Sequence, residues 1–189
     1  MRPSAGAIAG AAPLALLSML VIFACASEAE ITESKRESAT PTPYVRPGLT
    51  AAIVTRVVDG DTIRVVIEGE EYRVRYIGID TPETVDPRRP VGCFGKEASE
   101  RNRQLVEGKT VGLEKDISET DSFDRLLRYV WIEDRMVNAA LVEEGYALVS
   151  TYPPDVRYAG QFASLQAQAR EARSGLWGQA CDGTTPAEQ

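Results

Sequence analysis

The sequence predicts an α+β domain in which five short strands form a small closed barrel and three helices pack around it. Five short runs are rich in β-branched and aromatic residues, and three longer segments repeat apolar residues at helical spacing. A content of 43% hydrophobic and 26% charged residues is sufficient for one buried core with a solvated surface. The strands are predicted at residues 53–58, 62–67, 72–79, 111–114 and 126–132.

Charged residues lie where the first three strands begin and end. An Asp-Gly pair at residues 59–60 joins the first two strands and is a strong signal for a β-hairpin. Asp61 follows this turn, and Arg75 lies inside the third strand. Asp80 and Glu83 come at the end of that strand. Carboxylates that cluster at strand ends suggest a bound metal ion.

Three segments have the pattern of helices. The first covers residues 95–108 and ends at a glycine. The second can be capped by Asp134 and the third by Asp155, because a side-chain oxygen there can accept a hydrogen bond from the first turn. The third helix repeats apolar residues at helical spacing, and we assign its first two aromatic residues, Tyr158 and Phe162, to the core.

The two ends of the chain differ in composition from its middle. Residues 1–25 combine an early arginine, an apolar run and small residues at the end, which predicts a signal peptide. Residues 26–49 are rich in Pro, Thr and Glu and are expected to be a disordered tether. Residues 50–181 form the predicted folded domain, and residues 182–189 are expected to be a disordered tail.

The leader leaves three outcomes open for the N-terminus. Cleavage would release a secreted protein, whereas Cys25 also fits a bacterial lipobox and would then carry the lipid of a lipoprotein. An uncleaved anchor is the third outcome. In each case we expect an exported protein, extracellular or tethered to the outer face of the membrane, with any membrane contact made through its N-terminus.

Two cysteines remain once Cys25 is acylated or removed. An even pair in an exported protein favours a disulfide, so we expect Cys93 and Cys181 to be bonded. This bond would join the loop after the third strand to the C-terminal end of the domain.

The chain contains no histidine. This excludes a Ser-His-Asp triad, histidine metal ligands and a ribonuclease mechanism with two histidines. The remaining candidates for chemistry are carboxylates and guanidinium groups. Hard carboxylate oxygens select Ca²⁺ or Mg²⁺ over zinc and copper, and arginines match the geometry of phosphate oxygens. The combination suits phosphoryl transfer.

Several motifs occur together in a recognisable order. Residues 58–62 read V-D-G-D-T, residues 80–84 D-T-P-E-T and residues 95–99 G-K-E-A-S. Later, residues 120–125 read T-D-S-F-D-R and residues 136–145 M-V-N-A-A-L-V-E-E-G. In this order and at this spacing the chain resembles the thermonuclease family over roughly residues 52–177. The resemblance implies a five-stranded OB-fold β-barrel with three packed helices.

The resemblance also implies an activity and its site. The activity would be Ca²⁺-dependent hydrolysis of single-stranded or denatured DNA and RNA to 3′-phosphate products. For the oligomeric state, a monomer is the default expectation. Asp61 and Asp80 match the Ca²⁺-ligating carboxylates, and Thr81 matches a ligand through its backbone carbonyl. The implied catalytic residues are Glu83 as general base and Arg75 and Arg125 on the scissile phosphate, with Arg125 stabilising the transition state.

The chain departs from the family pattern at two places, and its net charge also differs from that of a typical nucleic-acid binder. The family's Lys-Tyr-Gly before the second arginine is Ser122-Phe123-Asp124 here, which removes a hydroxyl and adds an acid beside Arg125. Thr151 stands near the position of a base-stacking tyrosine, and only Tyr152 is close. The net charge of −7 is unusual for a nucleic-acid binder, so we expect weak ground-state affinity.

Two alternatives to an enzyme follow from these departures. One is a non-catalytic OB-fold surface lipoprotein that binds nucleic acid or protein, and the other binds Ca²⁺ only for structure. Each acidic or basic residue taken alone fits a turn former or a surface charge. All six implied site residues occur together at the family's spacing, and this favours the enzyme.

Overall fold

The first three strands form two consecutive hairpins. In the computed structural model, which describes residues 44–82, 84 and 92–181, β1 spans Thr50–Val57, β2 spans Thr62–Ile67 and β3 spans Glu70–Tyr76. Each strand pairs antiparallel with the next. β-Branched side chains at alternate positions face inward, where they pack on a pleated surface.

Two later strands close the sheet into a barrel. β5 (Thr110–Glu114) pairs with β1, and β6 (Leu126–Ile132) pairs with β5. β6 also runs parallel to β3, and this pairing joins the two edges of the sheet. The result is a closed five-stranded barrel with three packed helices, which confirms the predicted α+β class and the OB-fold.

Short strands and the helices complete the domain. β4 (Ile79–Asp80) pairs with β8 (Leu148–Val149), and β7 (Arg135–Met136) extends the sheet beside β6. The helices are α1 (Gly95–Val106), α2 (Val137–Glu143) and α3 (Ala159–Glu171). Two single 3₁₀ turns follow, Gly175–Trp177 and Gln179–Cys181. Within the part of the chain that the structure describes, none of the helices has the length and hydropathy needed to cross a membrane.

The core fills the barrel and extends under α3. Phe162 is completely buried, and its ring centroid lies 6.1 Å from that of Tyr129. Tyr158 meets Tyr129 edge to face at 4.7 Å and is partly buried. Such aromatic pairs contribute about 0.5–1.5 kcal/mol beyond the burial of area. The prediction that Tyr158 and Phe162 belong to the core is confirmed.

One predicted strand is divided into two. The run predicted at residues 72–79 leaves the barrel after β3 and resumes as β4, with Gly78 between them. Gly78 has φ +79°, and a Cβ there would lie 2.7 Å from Cε2 of Phe162. A glycine is therefore required both by the left-handed backbone and by the space that Phe162 occupies.

Both predicted helix caps are wrong. Asp134 lies exposed in the turn before β7, and α2 begins after Met136 with no side-chain cap. Asp155 is buried, and its Oδ1 accepts hydrogen bonds from the backbone N–H groups of Ile117 (3.0 Å) and Ser118 (2.8 Å). Asp155 is thus placed by tertiary contacts, which local capping patterns do not contain, whereas Asp134 belongs to the turn between β6 and β7.

The predicted disulfide is present. Cys93, just before α1, is bonded to Cys181 in the last 3₁₀ turn, and the two are separated by 88 residues in the sequence. The bond ties the segment that leads into α1 to the end of the domain. The predicted signal peptide (residues 1–25), most of the predicted tether and the predicted tail (residues 182–189) lie outside the described residues.

Removal of this disulfide is expected to destabilise the domain. A double variant, Cys93→Ser with Cys181→Ser, should lower the free energy of unfolding by about 2–5 kcal/mol, because closing a loop of this length restricts the unfolded chain. Urea unfolding of wild type and variant, each with and without dithiothreitol, measures the effect. The reductant should destabilise wild type to the level of the variant and leave the variant unchanged. A wild-type protein equally stable in both conditions would contradict the expectation.

Candidate functional site

Asp61 occupies the turn between β1 and β2, and its side chain is almost completely buried. The backbone N–H of Asp61 donates to Oδ1 of Asp59 at 3.1 Å, which makes Asp59 a turn residue as expected. The backbone carbonyl of Asp61 accepts from the N–H of Tyr76 in β3 at 2.9 Å. These two hydrogen bonds fix the turn independently of the contacts that the Asp61 carboxylate makes.

The carboxylate of Asp61 accepts four hydrogen bonds. Oδ1 accepts from the hydroxyl of Thr62 at 3.1 Å and from Nη1 of Arg75. Oδ2 accepts from the backbone N–H of Thr81 at 2.8 Å and from its hydroxyl at 3.1 Å. Burial raises the pKa of Asp61 to about 6, although the charge of Arg75 opposes the shift. Two of these hydrogen bonds come from barrel strands β2 and β3, and the other two come from Thr81, which follows β4.

Gly60 allows the turn to approach Thr81. A Cβ at residue 60 would lie 2.6 Å from Oγ1 and 2.7 Å from Cβ of Thr81, closer than side chains can pack. The Asp-Gly pair therefore does more than turn the chain. The missing side chain is what lets Thr81 donate twice to Asp61.

Arg75 brings a second carboxylate to the same place. It lies on β3 opposite Thr62, and its Nη2 pairs with Oδ1 of Asp80 at the end of β4. The same Nη2 donates to the backbone carbonyl of Ile79 at 3.3 Å. Burial lowers the pKa of Arg75, but Asp61 and Asp80 more than offset this and raise it above its usual value. Two carboxylates from different strands therefore converge on one cationic group.

This donor set suits a hard cation. Among the described residues there is no group of three or more Asp, Glu, Cys or His side chains that could hold a metal by themselves. The predicted set needs only the carboxylates of Asp61 and Asp80 with a backbone carbonyl from Thr81, all of them oxygen donors of the kind that Ca²⁺ prefers. Since both carboxylates already meet at a positive group, they are placed to share a cation. Glu83 lies outside the described residues.

Arg125 is held by Asp121. The Asp121 carboxylate accepts from Nε of Arg125 at 2.7 Å and pairs with its Nη2 at 2.6 Å. It also accepts from the backbone N–H groups of Phe123 at 2.9 Å and Arg125 at 3.0 Å. The guanidinium carbon of Arg125 lies 5.4 Å from the centre of the Phe123 ring. One carboxylate therefore shapes the loop and orients its arginine.

The two predicted arginines share a cleft of about 450 Å³. The parallel pairing of β3 and β6 sets Arg75 opposite Leu127, and Arg125 precedes β6 by one residue. Both line the cleft together with Phe123 and Tyr152. Asp61 and Asp80 contact Arg75, and Thr81 contacts Asp61. The structure therefore brings together five of the six predicted site residues: Asp61, Arg75, Asp80, Thr81 and Arg125.

Several residues at or beside the departures from the family pattern line this cleft, namely Ser122, Phe123 and Tyr152. Phe123 and Tyr152 are 68% and 73% exposed, which leaves both rings open to a ligand. Asp124 has φ +59°, the left-handed backbone that Asp tolerates better than most residues and that a glycine would adopt freely. Thr151 is half-buried, and its hydroxyl has no hydrogen-bond partner among the described residues.

Two supporting residues were not predicted. The hydroxyl of buried Tyr76 donates to Oδ1 of Asn102 at 2.9 Å, and Nδ2 of Asn102 donates to the backbone carbonyl of Asp59 at 3.2 Å. α1 is thereby connected to the turn that carries Asp61. Asn102 lies four residues from both Ala98 and Val106 on the buried face of α1. A polar residue on that face is a signal that could have identified it.

The fold and the cleft define an OB-fold protein with an acidic and cationic site at one end of its barrel. A family model described as staphylococcal nuclease homologue matches residues 73–179. The chain is 41% identical over 125 residues to a thermonuclease of Staphylococcus intermedius, an alignment that covers 66% of this chain and 74% of the relative. It is also 41% identical over 124 residues to a thermonuclease of Staphylococcus hyicus, covering 66% and 73%. Endonuclease YncB of Bacillus subtilis is 34% identical over 150 residues, covering 78% and 71%.

The chain therefore belongs to the staphylococcal nuclease homologue family, and the resemblance drawn from its motifs is confirmed.

The loop that carries Arg125 is expected to depend on pH through Asp121. Burial raises the pKa of Asp121, but the hydrogen bonds from Arg125 and Phe123 outweigh it, so the pKa lies below its usual value. A lowered pKa contributes stability that is present above the unfolded value of about 3.9 and is lost as pH falls through the folded value. Asp121→Asn should lower the free energy of unfolding by about 1–3 kcal/mol at pH 7 and by progressively less below about pH 4.

Urea unfolding across this pH range measures the difference. Asp124→Asn is the matched control, because it removes the same charge from an exposed neighbour whose backbone suits Asn. A difference between wild type and Asp121→Asn that stays constant with pH would contradict the expectation.

Proposed function

We propose that this protein is a Ca²⁺-dependent nuclease that hydrolyses single-stranded or denatured DNA and RNA and leaves 3′-phosphates. Membership of the nuclease family and the names of the relatives support nuclease activity. We further propose that the protein works outside the cell as a monomer, released or tethered by a lipid at Cys25. The composition of residues 1–49 supports export.

The observation that carries the proposal is the shared cleft of Arg75 and Arg125. The side chain of Arg75 is 21% exposed and that of Arg125 is 24% exposed, and both line the same cavity. Two planar cations facing one cavity suit a phosphodiester, whose oxygens accept paired hydrogen bonds from a guanidinium fork. Phe123 and Tyr152 at the rim give unpaired bases a surface to stack on, which favours single strands.

The metal would be held by Asp61, Asp80 and the backbone carbonyl of Thr81. Ca²⁺ bound there would supply positive charge next to the phosphate oxygens, on which negative charge develops during hydrolysis. In the structure Arg75 pairs with both carboxylates, and its single positive charge offsets only one of their two negative charges. Once they are neutralised by a cation instead, Arg75 can donate to a phosphate. Asp61 stays in place meanwhile, because Thr62 and Thr81 hold it.

The proposed reaction assigns one role to each remaining residue. Glu83 accepts a proton from water as the water oxygen bonds to phosphorus. The bond between phosphorus and the 5′ oxygen breaks, the 5′ oxygen takes a proton from solvent, and the phosphate stays on the 3′ end. Arg75 and Arg125 donate to the equatorial oxygens, and Arg125 stabilises the transition state most because charge develops beside it.

One observation favours a binding module as the second candidate. Asp121 already pairs with Arg125, and Phe123 offers a ring without a hydroxyl. If Asp121 kept Arg125 from a phosphate, the cleft would bind nucleic acid through stacking and not cleave it. Activity measurements separate the two candidates.

The glutamate variant tests the reaction. Glu83→Gln should lower kcat by about 10²–10⁴-fold, because the amide cannot accept the proton of the attacking water. Denatured DNA incubated with purified protein in Ca²⁺ or in EGTA, with the products analysed for fragments and terminal phosphates, provides the measurement. Wild type should cleave in Ca²⁺ only and leave 3′-phosphates.

Glu171→Gln is the control, since it makes the same change at an exposed position at the end of α3. Wild-type rates in Glu83→Gln would contradict the assignment of the base. Absence of cleavage by a folded wild-type protein that binds Ca²⁺ would favour the binding module.

Calcium is expected to stabilise the fold independently of turnover. A ligand that binds only the folded state adds about 2.7 kcal/mol at a concentration 100 times its Kd. Ca²⁺ should therefore raise the thermal midpoint of wild type relative to EGTA, and Asp80→Asn should remove most of this shift. Asp80 is 53% exposed, so its substitution leaves the core intact. Calorimetry that finds the same shift in Asp80→Asn and wild type would contradict the ligand assignment.

A further inference from the structure

Three arginines lie side by side on the outer face of β1, β2 and β3. Arg56 is the register partner of Arg64, and Arg64 is the register partner of Arg73. All three side chains are exposed, whereas their inward neighbours Val65 and Val74 are completely buried. Directly opposed residues in a sheet are about 4.5–5.5 Å apart, so the arginine row spans about 10 Å.

A bulge in β1 produces this alignment. The register shifts between Val54 and Arg56, so that Val54 pairs with Val65 and Arg56 pairs with Arg64. A regular strand would oppose Thr55 to Arg64 and turn Arg56 toward the barrel interior, because successive side chains alternate between faces. The extra residue therefore places a third arginine on the outer face.

Stability does not account for the arginine row. Like charges directly opposite each other in a sheet are destabilising. Among the described residues the row has one ion pair, between Arg64 and Glu71, and both partners are about half exposed. Such surface pairs contribute little. A concentration of three cations in a chain of net charge −7 instead suggests an anionic ligand.

The arginine row lies directly beside the proposed active site. Arg73 and Arg75 are two residues apart on β3, which puts them on the same face at about 6.6–6.8 Å. Arg73 also donates to the backbone carbonyl of Phe123 at 2.7 Å, at the rim of the cleft. The hairpin beyond the row carries Glu68, Glu70 and Glu71, which repel a polyanion. The basic path therefore runs across the strands.

We propose that Arg56, Arg64 and Arg73 form a second phosphate-binding site, which holds the backbone of the same nucleic-acid strand that reacts at Arg75. This inference rests on the proposed nuclease function and extends its substrate from one phosphodiester to a polynucleotide. A strand whose scissile phosphate contacts Arg75 continues over Arg73 and across β2 to β1. The contacts carry no base preference, since they reach phosphates alone.

Kinetics with substrates of two lengths test the arginine row. A triple variant with Arg56, Arg64 and Arg73 each changed to Gln should raise KM for denatured DNA roughly 10- to 100-fold, because each exposed phosphate contact contributes a few-fold. The same variant should leave kcat, and kcat/KM for a thymidine dinucleotide, within about twofold of wild type. Its thermal midpoint should stay close to that of wild type, because relief of like-charge repulsion offsets the lost hydrogen bond from Arg73 to Phe123. Single variants show which arginine contributes if the triple variant does not fold.

The matched control removes three exposed arginines elsewhere, Arg103, Arg135 and Arg173, and so makes the same change in net charge. This control should retain the wild-type KM for denatured DNA. An equal rise of KM in the control and in the row variant would overturn the proposal, since it would reflect overall charge alone.

Binding in EGTA separates this inference from the proposed function. Fluorescence anisotropy of a labelled oligothymidylate, measured over a range of salt concentrations, needs no turnover. For single strands each phosphate contact contributes about 0.7 to the slope of log Kd against log salt, so the row variant should have a slope lower by about 2. If wild type cleaves DNA and the row variant has the same slope and the same KM as wild type, the proposed phosphate-binding role of the arginine row is overturned. A lowered slope in a protein without cleavage would support it while the proposed function failed.

Discussion

The carboxylate of Asp61 is the interaction on which the site depends. It is buried and charged, and it receives hydrogen bonds from β2 through Thr62, from β3 through Arg75 and from the segment after β4 through Thr81. A buried charge that loses one partner typically costs about 3–5 kcal/mol, so these segments are held in fixed positions relative to one another. Gly60 makes the arrangement possible by leaving Thr81 the space to reach the carboxylate. Asp61 and Asp80, the acidic half of the site, therefore also connect the barrel strands β2 and β3 to the segment after β4.

The cationic half depends on a different connection, the parallel pairing of β3 with β6. This pairing places the loop of Arg125 next to Arg75, and Asp121 then sets the direction of the Arg125 side chain. Each arginine is accompanied by carboxylates that neutralise it before any ligand is present. These ion pairs limit repulsion between the two cations and keep both guanidinium groups oriented. The same contacts must be exchanged for contacts to a phosphate when a substrate enters, so preorganisation here has a cost in affinity.

Much of the barrel could be predicted because its strands are short runs rich in β-branched and aromatic residues. β2 and β6 have the predicted bounds, and Asp59-Gly60 forms the predicted turn. The division of β3 from β4 could not be predicted, since it depends on Phe162 from a distant helix lying against Gly78. The predicted cap at Asp155 failed for the same reason, because this carboxylate accepts from the backbone of Ile117 and Ser118, whereas Asp134 lies in the turn between β6 and β7. In the site, residue types and spacing identified the charged groups. Asn102 was missed because it reaches Tyr76 and Asp59 through tertiary contacts, whereas Asp121 is a local partner four residues before Arg125.

The late position of β6 in the chain has a consequence for partial products. Every strand of the acidic half precedes residue 82, but Arg125 and its β6 lie more than forty residues further on. A chain that ends before residue 125, by truncation, premature termination or proteolytic cleavage, lacks the strand that closes the barrel and with it the cleft. Such a fragment retains Asp61, Arg75 and Asp80 in its sequence but has no second guanidinium to oppose the first. The cleft therefore forms only once β6 has been synthesised and has closed the barrel. No part of it exists in shorter chains.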